Sequence, residues 1–359
     1  MPTRSETNAK AAQLRARFVA QGAQAVEPPI LQPADTLLDL YGEDIRARAY
    51  VTSDALRGEQ MLRPDFTVPV VQMHMEIGAE PARYTYAGEV FRRQENDPSR
   101  PNEYVQVGYE VFDRVDPAAS DAEVFSLIAQ ALSDLNVRAV TGDIGVLMAV
   151  VTGLNTSEIR KKALMRHIWR PRRFRALLDR FSGNTPVSAE REALLAGDIP
   201  NGAPLVGARQ QHEVDARIQA LREDAKTPPI SRKDVDLIET LLDISAAFPD
   251  ALERLHDLSV DLPVIIPAVA RVVARKDALS ARDVDVDALQ FEASYGRTSM
   301  EYYDGFVFGF RSVERPDLPP LATGGRYDAL TQRLGDGGEI PAVGGVMRPD
   351  VMLELEKMP

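Results

Sequence analysis

Apolar and polar positions change period several times along the chain. Over residues 7–21, Ala11, Leu14 and Phe18 fall on one helical stripe and Gly22 supplies a stop, which predicts an amphipathic opening helix. Residues 25–35 contain Pro28, Pro29 and Pro33, which forbid helix and suit an extended, edge-like or interface strand. From residue 61 to 113 the segments are short and of β character. Residues 82–93 and 103–112, joined by a long polar loop, predict an antiparallel hairpin. Alternation in the second strand puts Val105, Val107, Tyr109 and Val111 on one face and Gln106, Gly108 and Glu110 on the other. A polar strand face is ordinarily a solvated one. A glycine between two hydrogen-bonding side chains points instead to the floor of a pocket that something approaches closely.

Further along, residues 120–132 predict a helix and residues 139–151 a strand leading into a helix. Residues 156–283 are rich in Ala, Leu, Arg and Glu with helical periodicity nearly throughout, and read as a helical insertion dividing a core of residues 1–155 and 284–359. Strand character returns at 301–310, where Phe306, Phe308 and Phe310 alternate. Residues 322–330 and 340–356 each read as a strand, a glycine-rich turn and a helix. The expected class is α+β, a sheet flanked by helices.

Composition narrows the function. With 359 residues, 44% of them hydrophobic, the chain can bury a sizeable core in one large or two moderate domains. A net charge of -12 argues against a surface built generally to grip a polyanion. The absence of cysteine excludes disulfides, thiolate metal ligands and a thiol nucleophile. His74, His167, His212 and His256 stand singly, so no metal site is expected, and no cofactor either. No apolar run approaches the roughly 18 residues of a membrane span and the N-terminus lacks a signal peptide's apolar stretch, so a cytoplasmic protein is expected.

Several motifs in order carry a resemblance. L-R-P-D-F-T at 62–67, Phe91-Arg92 followed by Q-V-G-Y-E at 106–110, Tyr302-Tyr303, G-G-R-Y-D-A-L at 324–330 and P-A-V-G at 341–344 resemble the class II histidyl-tRNA synthetase core. There these segments are an L-R-P-E-x-T run, a motif 2 hairpin ending in Q-x-G-x-E, and motif 3. The resemblance covers residues 8 to 356. It implies a six-stranded antiparallel sheet flanked by helices, with residues 26–35 similar to the motif 1 segment of a dimer interface.

The departures fall on positions that handle ATP. Adenylation needs positive donors fixed around a triphosphate. Arg92 stands at the family's α-phosphate arginine, but Gln94 and Glu95 replace a Glu and an Arg, and Asn102 replaces a later Arg. Thr298 takes the place of the arginine in the family's R-G-L-D-Y-Y, and Arg297 beside it would point to the opposite face of a strand. Val351 occupies the arginine position of the motif 3 pattern G-x-E-R. The sequence stops at Pro359, soon after motif 3, so no anticodon-binding domain and no tRNA partner are expected.

Positions that the resemblance assigns to the amino acid survive: Asp65 (for Glu), Thr67, Gln106, Glu110, Tyr302, Tyr303 and Tyr327, beside Arg92. Carboxylates and an amide in a tyrosine-walled slot suit an α-ammonium group and an imidazole. The combination is similar to the histidyl-tRNA synthetase-like regulatory subunits of ATP phosphoribosyltransferase. Membership implies a non-catalytic subunit required by a short catalytic subunit in histidine biosynthesis, with histidine as a feedback ligand. Two alternatives stay open: an adenylating paralogue with a non-tRNA acceptor, and a stand-alone histidine sensor. One feature is left over, the basic run of Arg160, Lys161, Lys162, Arg166, Arg170, Arg172, Arg173, Arg175 and Arg180. It reads first as a solvated helix face and second as a docking surface.

Overall fold

The opening helix α1 (Arg4–Ala20) starts at a capping box: Thr3 Oγ1 accepts from the Glu6 N–H at 3.3 Å, and the Glu6 carboxylate accepts from the Thr3 N–H at 2.7 Å. Its buried stripe is Thr7, Ala11, Leu14 and Phe18. The computed structural model describes residues 2–41, 45–94, 100–197, 207, 210–297, 302–335 and 337–357, so Glu95 and Thr298 lie outside the described residues.

After α1 come β1 (Gln24–Ala25), β2 (Leu31–Pro33), α2 (Ala34–Tyr41), α3 (Ile45–Arg48), β3 (Val51–Asp54), β4 (Gly58–Leu62) and α4 (Thr67–Ile77). The hairpin follows as β5 (Ala82–Phe91) and β6 (Glu103–Phe112), paired over their full lengths. Next are α5 (Pro117–Ala131), which Asp116 caps by accepting from the Ala119 N–H, then β7 (Val137–Asp143) and α6 (Ile144–Gly153). The long middle segment contains α7 (Glu158–Arg166), α8 (Pro171–Phe181), α9 (Ala189–Ala196), α10 (Gln211–Ala225), α11 (Arg232–Leu242), the short β8 (Ser245–Ala247), α12 (Phe248–Asp261) and α13 (Ile266–Ser280). The chain finishes with β9 (Gln290–Glu292), β10 (Phe306–Ser312), β11 (Ala322–Arg326), α14 (Asp328–Leu334), β12 (Ala342–Met347) and α15 (Pro349–Glu356).

The main sheet runs β1-β5-β6-β12-β11-β10-β7-β9-β8. Its centre, β5-β6-β12-β11-β10-β7, is antiparallel throughout, but β1 joins β5 and β9 joins β7 in parallel. The expected antiparallel sheet is therefore the centre of a larger mixed one. A separate small sheet, β2-β4-β3, uses only Leu31–Pro33 of the proline-rich segment. The segment expected as an insertion does not stand apart from the sheet, because β8 extends its edge and α13 packs on α5.

One sheet face is the hydrophobic core. Phe125 of α5 meets Phe306, Phe308 and Phe310 of β10 at ring separations of 6.3, 5.4 and 5.1 Å, and Phe18 of α1 meets Tyr109 of β6 at 5.2 Å. Each such ring contributes roughly 1.5–3 kcal/mol by leaving water. Buried ions span this layer: Arg275 of α13 donates to Asp121 and Asp143, each at 2.8 Å, and Arg326 of β11 donates to Asp121 at 2.7 Å and to Asp328 at 2.9 Å.

Two readings of local structure need correction. Tyr302 and Tyr303 lie in the turn before β10, not on a strand. Nor do the glycine pairs make turns: Gly324-Gly325 and Gly344-Gly345 sit inside β11 and β12, paired to one another. Their space is already taken. A Cβ on Gly325 would run into the Tyr303 ring at 2.8 Å, and one on Gly344 into the Glu110 carboxylate.

Candidate functional site

The opposite sheet face carries Gln106, Gly108 and Glu110 of β6, as alternation predicts. It is covered by α4 and by the turn bearing Tyr302 and Tyr303. Cross-strand register places Gly344 against Glu110 and Val346 against Gly108. Tyr86 of β5 fills the room above Gly108, and Phe66, just before α4, stacks on Tyr86 with ring centroids 4.2 Å apart.

A cavity of about 280 Å³ opens on this face. Asp65, Thr67, Arg92, Gln106, Tyr302 and Tyr303 line it together, although they come from segments more than 230 residues apart in sequence. Glu110 and Tyr327 do not line it. They form the layer beneath, where Glu110 is fully buried and accepts from Tyr327 Oη at 2.5 Å, Tyr86 Oη at 2.7 Å and Thr67 Oγ1 at 3.1 Å. Three hydroxyl donors occupy this carboxylate, so its role is to hold the floor. Burial raises its pKa to about 7, opposed by the three hydrogen bonds and reinforced by nearby Asp65. The same burial, with Glu110 close by, pushes the Tyr86 and Tyr327 hydroxyls well above their ordinary value.

Gln106 is different. It is 2% exposed, it faces the cavity, and its Oε1 has no hydrogen-bond partner among the described residues. An orphaned buried acceptor costs about 1–3 kcal/mol unless something donates to it. Asp65 is almost as buried and accepts from the Val68 N–H at 3.3 Å. The tyrosine wall is edge-on: Tyr302 lies at 70° to Tyr303 with centroids 5.0 Å apart, and at 85° to Tyr327 at 6.0 Å. The Tyr303 carbonyl accepts from Trp169 Nε1 at 2.9 Å, so the α7–α8 connection supports this wall.

The lining of the cavity is also basic. Arg92, whose Nε donates to the Pro64 carbonyl at 2.6 Å, is joined by Arg100, Arg311 and Arg348. The Arg348 guanidinium lies over the Tyr104 ring at 4.3 Å, and its pKa is lowered chiefly by burial and also by the positive Arg92 and Arg100. Sequence reasoning missed Arg100, Arg311 and Arg348. The signal for Arg348 was its place at the glycine of the G-x-E-R pattern, where a large cation is out of keeping.

The positions that the resemblance assigns to ATP, and Arg297 beside them, have other occupations. Asn102 Oδ1 accepts from the Gln94 N–H at 3.0 Å, which closes the neck of the hairpin loop. Val351 is buried on α15. Arg297 turns away from the cavity: its Nε donates to the Ile168 carbonyl at 2.8 Å, its guanidinium sits over Phe174, and desolvation lowers its pKa to about 10.

Residues 2–225 and 205–352 match the family model of histidyl-tRNA synthetase. A regulatory subunit of ATP phosphoribosyltransferase from Brucella canis is 30% identical over 352 residues, covering 92% of this chain and 93% of its own, and one from Brucella melitensis biotype 2 is similar to the same extent. The chain belongs to the histidyl-tRNA synthetase-like family of ATP phosphoribosyltransferase regulatory subunits. Solved structures share the fold. One is described as an ATP phosphoribosyltransferase regulatory subunit/histidyl-tRNA synthetase from Bacillus halodurans, with a TM-score of 0.68, 20% identity and coverage of 98% of this chain and 79% of its own. Another is a histidyl-tRNA synthetase from Nostoc, with a TM-score of 0.63, 17% identity and coverage of 97% and 70%. No helix among the chain's described residues is long and apolar enough to cross a membrane.

Proposed function

We propose that this chain is a non-catalytic subunit that binds the short catalytic subunit of ATP phosphoribosyltransferase, is required for its activity in the first step of histidine biosynthesis, and binds histidine in the cavity over β6. The observation that carries the ligand reading is Gln106 Oε1, a buried acceptor without a donor among the described residues, in a cavity that Asp65 and Arg92 also line. Histidine supplies donors from its ammonium group and imidazole for the first two and a carboxylate for the arginine. Inhibition then requires histidine to bind one quaternary state better than another. The reading includes cytoplasmic location. It also includes self-association through residues 26–35, where Ile30 and Leu31 are 42% and 49% exposed.

The absence of adenylation is supported by the reassigned positions Asn102, Val351 and Arg297. The test pairs two assays: phosphoribosyl transfer by the short catalytic subunit with and without this chain, and histidine-dependent ATP–pyrophosphate exchange by this chain alone. Activation without exchange is the expected result. Exchange without activation would overturn the proposal in favour of an adenylating paralogue.

A further inference from the structure

The basic run of the sequence is not uniform in the fold. Arg160 is buried and spent, with its Nε on Asp224 at 2.7 Å, while Lys161 pairs with Glu158 and Arg175 with Glu239. Lys162, Arg166, Arg172 and Arg173 are exposed, and none of them has an ion pair among the described residues. They gather at one corner. Lys162 and Arg166 are one turn apart on the outer face of α7, and Arg172 and Arg173 open α8 a few residues later.

The placement at α8 works against local stability. A helix N-terminus carries a partial positive charge and favours acids in its first turn. Here that turn contains Arg172 and Arg173, no acid, and an N-cap at Arg170 without a side-chain cap. On the α7 face, Ile159 is 55% exposed one turn before Lys162. An exposed aliphatic side chain on the same helix as cations that have no ion pair among the described residues, on a chain of net charge -12, suits an anionic protein surface with an apolar anchor. Nucleic acid is disfavoured because Trp169, the aromatic residue at the corner, is engaged inward on Tyr303.

The corner is also wired to the cavity. Two of its connecting residues are held by the polypeptide around the ligand wall, Trp169 through Nε1 to the Tyr303 carbonyl and Ile168 through its carbonyl to Arg297 Nε at 2.8 Å. We infer that the α7–α8 corner is the surface on which an acidic segment of the catalytic subunit docks, and that Trp169 passes the effect of docking to the histidine-binding wall at Tyr303. This inference rests on the function proposed above.

The deciding experiment measures the dissociation constant for the short catalytic subunit with the full chain and with a variant carrying Lys162→Glu, Arg166→Glu, Arg172→Glu and Arg173→Glu. The expected result is a loss of affinity of about tenfold or more, with the wild-type affinity falling as salt rises and the variant's nearly flat. The unfolding midpoint is expected to hold or rise, since the two α8 changes favour the helix dipole. If the fourfold variant does not fold, the pair Lys162→Glu and Arg166→Glu on α7 asks the same question. Unchanged affinity would overturn the docking surface while leaving the subunit's function intact. So would loss of binding to a single-stranded oligonucleotide alone, which would reassign the corner to nucleic acid. No binding by the wild-type chain would sink the proposed function itself. For the coupling, Trp169→Phe keeps the ring and removes the N–H. The catalytic subunit is expected to shift the histidine affinity of wild type at least threefold more than that of the variant, and an equal shift in both would refute the route through Tyr303.

Discussion

Gly344 on β12 lies directly opposite Glu110 on β6, and the space its missing side chain leaves is the space the Glu110 carboxylate occupies. The floor of the cavity is thus built by subtraction. A glycine in one strand admits a charged group from the next, and three hydroxyls then fix that group.

Gly344→Ala is therefore expected to displace Glu110 and cost about 2–3 kcal/mol or more, the range of overpacking in a tight interior. Gly22→Ala is a control of another kind. Nothing stands within 4 Å of its added Cβ, but φ is +91°, so the cost of about 1 kcal/mol is purely conformational. Urea unfolding of both variants, with histidine binding measured alongside, separates the two: only Gly344→Ala should impair the site.

Glu110 also makes stability depend on pH. The unfolded chain releases this proton near 4.5 and the folded chain near 7, so between those values only the folded state holds it. Stability contributed by the group is full below 4.5 and is lost as pH rises toward 7, on the order of 3 kcal/mol in all. Asp304, raised to about 7 by burial and by Asp328, adds a loss of the same sign between its ordinary value and 7. Glu110→Gln should flatten the fall in stability between pH 5 and pH 8. Parallel pH profiles for variant and wild type would show that Glu110 is ionised throughout.

Gln106→Ala should weaken histidine binding at least tenfold with little change in unfolding midpoint, because the Oε1 it removes satisfies nothing in the folded chain. Tyr327→Phe should do the reverse. It withdraws one of three donors from Glu110, so it should raise that carboxyl further and cost more stability at pH 8 than at pH 5. Calorimetric titration with histidine and thermal melts at the two pH values tell the variants apart.

Arg275→Ala leaves Asp121 and Asp143 buried with fewer counter-charges, although Arg326 still reaches Asp121. The expected loss is about 3–5 kcal/mol. A loss below 1 kcal/mol in denaturant unfolding would mean that water or a proton replaces the guanidinium at little cost.

Much of this was legible in the sequence because period 2 and period 3.6 report burial directly. The alternation of Gln106, Gly108 and Glu110 placed a polar face over the sheet, and Phe306, Phe308 and Phe310 placed the core on the other. What escaped was whatever depends on depth. Alternation could not separate Gln106, which faces the cavity, from Glu110, which lies under it, because both point the same way from one strand. Gly324-Gly325 and Gly344-Gly345 resembled turns since paired glycines usually supply positive φ, whereas here they make room for Tyr303 and Glu110. Arg100, Arg311 and Arg348 meet only after three distant segments have folded together, and no spacing along the chain announces that.

The ions that join α13 to α5, β7 and β11 bear on the chain's descent. If the middle segment was acquired by a sheet that already existed, Asp143 was once either a neutral residue or an exposed one, since among the described residues Arg275 is the cation that pairs with it, whereas Asp121 keeps Arg326. The helix and the Asp143 carboxylate must have been accepted together. A chain stripped of residues 156–283 is thus no replica of an older, simpler form: it would leave a raw, unmatched negative charge at the end of β7.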